Sequence, residues 1–302
     1  MPRSSCSRFG SVIAVEPPYG LGPWGLRSGE YRVKKTWIYG AMAMAALAVP
    51  ATAAADDAAV TDSAATMQGV TVQYAGSVMV FQVANIVVSS QFADETYQAS
   101  ARFTAAGLAA LFTDADIEAG VSGYREGEQL QPWRYSHLNH ASSKNRVVAI
   151  DFPEGVATPD IEPPFGSMGE PPATDEERAG AADPLSTLLA MGLGAVERGT
   201  SHCDGTLPVF DGRARYNLRF EDGGTDRVRT RAWTGDAVVC HAYYEPVSGY
   251  EADEFPTEDD ISRPITFWMA PVHGGDIHVP VRIRTNAGFG GVTIVARSIA
   301  EH

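Results

Sequence analysis

Val78-Met79-Val80-Phe81-Gln82-Val83-Ala84-Asn85-Ile86-Val87-Val88 is the stretch whose reading decides the fold. Val78, Val80, Gln82, Ala84, Ile86 and Val88 share one parity. A repeat of two is the pattern of a strand with one face in a core. A shorter run, Val70–Tyr74, precedes it, and Tyr97, Ala99, Ala101 and Phe103 repeat the pattern after it. A small helical patch, Ala105 to Phe112, interrupts the alternation. Strands follow near 117–125, 129–138 and 146–152, with Arg125-Glu126-Gly127-Glu128 and Ser142–Asn145 as turn material.

Between 153 and 182 the composition changes. Pro153, Pro159, Pro163, Pro164, Pro171 and Pro172 punctuate an acidic stretch with little apolar content, which reads as a mobile insertion. It ends at Asp183-Pro184, a capping residue followed by proline at the first helical position. Leu185, Leu188, Leu189, Leu193 and Val196 then recur at helical spacing, so a helix is predicted over 184–198. Strands are predicted again at 206–210, 212–221, 225–234, 236–247, 264–271, 277–285 and 288–299. Gly223-Gly224, Gly274-Gly275 and Gly290-Gly291 sit at turn or bulge positions.

About a dozen consecutive strands with short connections imply a mainly β protein with one antiparallel sheet. A flat open sheet of that size exposes its edges, so this one must curve strongly, as a half-barrel, open barrel or β-spiral. The single long helix is expected to pack on or in the concave side. The reading gives one β-rich domain over 68–302 and a flexible segment over 56–67.

Residues 1–55 read as a secretory leader with an over-extended start. Arg32, Lys34 and Lys35 precede an apolar run from Thr36 to Pro50, and Ala51-Thr52-Ala53 and Ala53-Ala54-Ala55 follow. Basic flank, short apolar run and small-residue cleavage site are the three parts of a signal peptide. The alternative is an uncleaved inner-membrane anchor over 36–50, which is short of the roughly twenty residues a spanning helix needs. No stable transmembrane span is expected after processing.

The whole chain carries a net charge of −14. Without residues 1–55 it keeps 17 basic and 35 acidic side chains, a net −18, and Lys144 is its only lysine. Such a chain is poorly suited to nucleic acid, whose phosphates must be neutralised by cations. Cys6 leaves with the leader, and Cys203 and Cys240 remain as a disulfide pair for an oxidising compartment. His202 and His241 adjoin them, so zinc is the competing reading. Neighbours on a strand point to opposite faces, which argues against convergence on one ion.

Several short motifs resemble the bacterial domain-of-unknown-function family 3108. They are Phe210-Asp211-Gly212-Arg213 with Tyr216, Tyr244-Glu245-Pro246, Gly249-Tyr250, Asp183-Pro184-Leu185-Ser186 and the Gly107-Leu108 to Leu111-Phe112 patch. The resemblance covers roughly 68–299. It implies an exported Gram-negative envelope protein with no assigned activity, and it supplies no catalytic residues. A looser likeness, in architecture alone, is to half-barrel lipoprotein carriers and β-spiral envelope-integrity proteins.

No G-x-S-x-G elbow, H-E-x-x-H, phosphate loop or dinucleotide fingerprint occurs in the chain. No catalytic residue, metal site or cofactor is assigned. His137 and His140 fall on opposite faces of a strand. The acidic residues of 251–260 lack the spacing of a calcium loop.

Two constellations remain. Arg213, Arg215, Arg219, Arg227, Arg229 and Arg231 all have odd numbers. If a hairpin turns at Gly223, Arg219 faces Arg227 and Arg215 faces Arg231. Opposed like charges on a sheet need an anion between them. Neighbouring acids could serve as well as a bound phosphate or carboxylate. The second constellation is aromatic: Trp133, Tyr135, Trp233, Tyr244 and Trp268 either fill the core or line an apolar groove, opened if the helix moves aside. Gly192 and Gly194 are read as loosening that helix.

The expectation is a non-enzymatic periplasmic envelope protein that binds a lipid-like, glycan or protein component. The alternatives are an interaction protein that pairs through a sheet edge with no small ligand, and a hydrolase.

Overall fold

The structure, a computed structural model, describes residues 67–107, 109–111, 113–140, 145–194, 203–287 and 290–302. The expected leader over 1–55, nearly all of 56–67, and the helix tail at Val196 and Arg198 lie outside these residues.

The alternation has the consequence it should. Thirteen strands form one antiparallel sheet: β1 (Gln68–Val78), β2 (Phe81–Phe92), β3 (Thr96–Ala105), β4 (Asp116–Glu126), β5 (Gln129–Asn139), β6 (Val147–Asp151), β7 (Thr158–Glu162), β8 (Gly205–Phe210), β9 (Arg215–Arg229), β10 (Thr234–Ser248), β11 (Ile265–Val272), β12 (Ile277–Ala287) and β13 (Gly290–Glu301). Their spatial order is β7-β6-β5-β4-β3-β2-β1-β13-β12-β11-β10-β9-β8. The first and last strands therefore pair in the middle, Val70 opposite Glu301. Strands β7 and β8, adjacent in sequence order, are the two ends of the sheet and do not close it into a barrel.

The gap between those ends is occupied. On one side Gly180 N donates to Gly155 O at 2.9 Å, and Val156 bridges Ala179. On the other, Ala182 N donates to Pro208 O at 3.0 Å and Phe210 N donates to Ala182 O at 2.9 Å. Arg178 spans both sides. Its guanidinium donates to Ala157 O at 3.0 Å and lies 5.6 Å from the Phe210 ring centre. The seam is thus sealed by a short irregular segment whose backbone groups pair as a strand's would.

Here the expectation of a mobile insertion over 153–182 is corrected. The stretch contributes β7 and a capped turn of helix, α1 (Asp175–Arg178), with Thr174 and Glu177 forming a capping box. Arg146, 7% exposed, donates to Pro163 O at 2.7 Å and lies over the Phe165 ring at 4.3 Å. Proline and acid content resembled a linker, but main-chain carbonyls that accept from buried arginines tie the segment down.

The predicted helix is α2 (Pro184–Leu193), shorter than 184–198. Gly194 adopts φ 74°, and its N–H closes back on the carbonyls of Ala190 and Met191, which ends the helix. Leu185, Leu189 and Leu193 join the main core with Phe92, Tyr97, Val121, Ile150 and Phe210. Leu188 and Met191 turn to a second cluster around Cys203, Phe220, Cys240 and Phe267. Each buried leucine contributes about 2 kcal/mol. The helix touches β3, β4, β5, β8 and β12, so it sits against the concave side as expected. Gly192 does not loosen it. A Cβ there would lie 2.5 Å from His278 O, so the missing side chain lets the helix backbone press on β12.

Two boundaries also differ. The opening run is not one strand: Met79 has φ 53°, and β1 turns into β2 there, leaving Val80 85% exposed. The predicted strands 212–221 and 225–234 are one strand, β9, with a bulge at Gly223-Gly224 where the register against β10 shifts. The true turn follows at 230–233. Thr230 N donates to Trp233 O at 2.7 Å, and Thr230 Oγ1 accepts from Trp233 N at 2.9 Å.

Candidate functional site

The longer β9 takes the arginine constellation apart. Arg219 and Arg227 lie on the same strand, eight residues and roughly 26 Å apart, rather than opposite each other. Each arginine has its own surroundings. Arg213 pairs with Glu254 at 2.8 Å and with Glu251 at 3.6 Å. Arg215 is buried, and its Nε donates to Glu177 O at 2.7 Å. Arg219 pairs with Glu245 at 2.8 Å and with Glu221, and it lies over the Tyr243 ring. Arg227 reaches Asp236 at 3.8 Å. Arg229 and Arg231 are exposed, with no carboxylate partner among the described residues. Neighbouring acids do for Arg213, Arg219 and Arg227 what a bound anion was invoked to do.

The five aromatic candidates are likewise not brought to one groove. Trp268 donates through its indole N–H to Asp226 at 3.0 Å and is flanked by Arg282 and Arg284. Trp233 packs in the β9–β10 turn, its buried N–H without a partner among the described residues. Tyr244 stacks on Tyr216 at 4.6 Å and hydrogen-bonds Tyr250. Trp133 and Tyr135 share β5 but not a face. The register shift opposite Ser122/Gly123 turns the Trp133 ring outward, 39% exposed, while Tyr135 stays in the core at 6%.

Four of the motifs that carry the family resemblance converge beneath the start of α2, while the described part of the Gly107 to Phe112 patch lies against β2 instead. Asp183, fully buried, accepts from Leu185 N and Ser186 N at 2.9 Å each, and from the Ser186 hydroxyl. Ser186 Oγ also meets Tyr97 Oη at 2.7 Å. Asp211 accepts from Arg213 N and Ala214 N at 2.9 and 2.7 Å, which shapes the β8–β9 turn. Burial pushes the Asp183 carboxyl up to about 6 against the pull of these hydrogen bonds, and burial raises Asp211 as well. The phenols of Tyr135 and Tyr216 are raised by burial first and then by these two carboxylates. Tyr135 Oη lies 3.3 Å from His137 Nδ1, and burial lowers that imidazole.

Gly249 completes the assembly. With φ 88°, it brings its backbone so close to Arg213 O that a Cβ would sit 2.0 Å away. The Ser186 proton is held by a helix-capping carboxylate in a site 1% exposed. The arrangement holds five parts of the chain together and offers no exposed nucleophile.

A second feature lies on the outer face. Register aligns Ser89, Ser100, Gly120 and Ser136 in one row across β2–β5, and Gln91, Gln98, Ser122 and Arg134 in the next. The short side chains of the first row leave a trough of about 460 Å³. On one side stands the row Val87, Arg102, Glu118 and Leu138, where Arg102 pairs with Asp116 at 2.7 Å and Glu118 at 2.8 Å. At the other end Tyr124 and Trp133 meet edge to face at 4.6 Å. Sequence reading chose Trp133 but missed the rest, because single serines and glutamines carry no signal until the strands are paired.

The fold and these two features define a strongly curved, antiparallel β-sheet protein with an internal helix, a locked polar interior and an open outer trough. The chain belongs to the family described as protein of unknown function (DUF3108), which matches residues 70–297. It is also similar to a crystal structure of a beta-barrel-like protein of domain of unknown function DUF1849 from Brucella abortus. That likeness has a TM-score of 0.47 and 9% identity, and covers 78% of this chain and 98% of the other. No curated protein matches the chain. No helix among the described residues is long and apolar enough to cross a membrane.

Proposed function

We propose that this protein is an exported, non-enzymatic binding protein of the cell envelope, working in the periplasm in envelope maintenance. The observation that carries the reading is the bridge between Cys203 and Cys240, with Cα atoms 5.2 Å apart and both residues buried, at 0% and 1% exposure. A bridge at the centre of a core cluster belongs in an oxidising compartment. The basic flank, apolar run and Ala-x-Ala sites of residues 32–55 give a route to one.

Binding on the outside of the sheet is supported over binding inside it. The space between α2 and strands β1, β2 and β12 is about 30 Å³, room for about one water and not for an acyl chain. Ser186, the serine hydrogen-bonded to a buried carboxylate, is 1% exposed and donates to the Asp183 cap, so no substrate reaches it. Addition of a partner strand to β8 competes with Ala182, which already bonds that edge.

The test is the mass and free-thiol count of the protein extracted from its own cells. The reading expects a start near residues 51–56 and no alkylatable thiol under denaturing conditions. An intact leader together with alkylatable thiols at both Cys203 and Cys240 would overturn it.

A further inference from the structure

We propose that the outer trough across β2–β5 binds an uncharged, polyhydroxylated chain, a neutral saccharide. This rests on the reading of the protein as an envelope binder and names the ligand class.

Ser100, Ser122 and Ser136 offer hydroxyls that both donate and accept, and Ser89, whose hydroxyl meets Thr71 Oγ1 at 3.0 Å, keeps part of that capacity. Gln98 donates to Gln91 Oε1, which leaves one amide carbonyl and one amide NH₂ free in the same row. Paired donors and acceptors of this kind match adjacent hydroxyl groups, which also do both. An acyl chain would leave them all unsatisfied, at a cost for each.

Among the residues lining the trough, Arg134 alone is ionic, and Asp151 pairs with it at 3.1 Å. Arg102 on the neighbouring row is neutralised twice, by Asp116 and Glu118. A carboxylated or phosphorylated ligand would meet no spare cation here.

Two aromatic rings close one end of the trough. Trp133 is 39% exposed and Tyr124 60%, whereas Tyr135, two residues along β5 from Trp133, is buried at 6%. Aromatic rings with one wet face suit ligands that are apolar on one face and polar at the rim, as a pyranose ring is. The trough crosses four strands, about 14 Å at sheet spacing, and its 460 Å³ lies within the range of ligand pockets.

The experiment follows the side-chain amides of Gln91 and Gln98 by NMR in the mature, disulfide-bonded protein. The probes are linear tetrasaccharides of glucose and of N-acetylglucosamine, and tetragalacturonate as a charged counterpart. A saturable shift is expected with at least one neutral probe, and none with the charged one. Trp133→Ala should weaken binding roughly tenfold or more. Ser100→Trp, at an exposed position, should abolish it by filling the trough while the core signals stay unchanged. No saturable shift with any neutral probe up to about 20 mM would overturn the proposal. So would a preference for tetragalacturonate, or unchanged binding in both variants. Failure here leaves the thiol count and the processed start untouched, so the two failures are distinguishable.

Discussion

The Tyr97 hydroxyl lies 2.7 Å from Ser186 Oγ, joining β3 to the first turn of α2 across 89 residues of chain. Both groups are buried, and Ser186 already serves the Asp183 carboxylate. The contact fixes where the helix stands in the concave side. Removing the phenol oxygen forfeits a buried hydrogen bond, at about 1–2 kcal/mol. Tyr97→Phe should therefore lower Tm by roughly 2–6 °C in thermal unfolding followed by circular dichroism. A Tm within about 1 °C of the parent would mean that the helix is positioned by its leucines alone.

Asp183 sets a pH dependence with a definite sign. Its folded value is about 6, above the roughly 3.9 of an unfolded aspartate. The folded state then holds the proton more tightly, so stability falls as pH climbs from about 4 to about 6 and levels off above. The change is on the order of 2–3 kcal/mol. Asp211 is raised in the same sense. Asp183→Asn keeps a good helix cap and removes the Asp183 share of this slope. Urea midpoints of parent and variant across that window measure the difference, and parallel curves would refute the assignment.

Cys203 and Cys240 enclose a sequence separation of 37 residues that contains β8 and β9. Reduction frees that loop in the unfolded chain and costs about 4 kcal/mol in the chain-entropy account. A Cys203→Ala, Cys240→Ala pair avoids a buried thiol and should unfold at lower urea by a similar free energy. If reductant leaves the urea midpoint unchanged, the bridge is not part of the stable fold.

Two glycines with positive φ separate backbone strain from crowding. Gly224, at φ 76°, has open space where a Cβ would go, so Gly224→Ala should cost only about 1–2 kcal/mol. Gly249, at φ 88°, has Arg213 O at 2.0 Å from that position, so Gly249→Ala must displace the β8–β9 turn. It is expected to give little soluble folded protein, or a loss well above that of Gly224→Ala. Equal effects at the two sites would show that strain alone decides.

The sequence showed strands readily because alternation is local, and it showed the start of α2 because Asp183-Pro184 is a chemical signal. Gly223-Gly224 misled for a definite reason. Two glycines between alternating runs suit a tight hairpin and a bulge equally, and only the partner strand decides. The real turn, Thr230-Arg231-Ala232-Trp233, has no glycine or proline and is held by a threonine side chain. One misplaced turn then produced the facing arginines. The outer trough was illegible for another reason: Ser89, Ser100, Gly120 and Ser136 come together through register alone. The polar interior was half legible. Its motifs could be quoted, but nothing local says that Asp183, Asp211 and Tyr216 share a site.

The pairing of β1 with β13 sets the order in which the molecule can be assembled. Each arm, β2 to β7 and β8 to β12, grows hairpin by hairpin from near neighbours, whereas joining the arms demands the longest loop closure in the sheet. Gly69 and His302 already exchange two main-chain hydrogen bonds, at 2.7 and 2.9 Å. A short linker between them, with new ends cut in the stretch between β7 and β8, would yield a circular permutant in which that distant contact becomes a hairpin. Such a chain keeps every strand pair while turning the longest-range one into a local one.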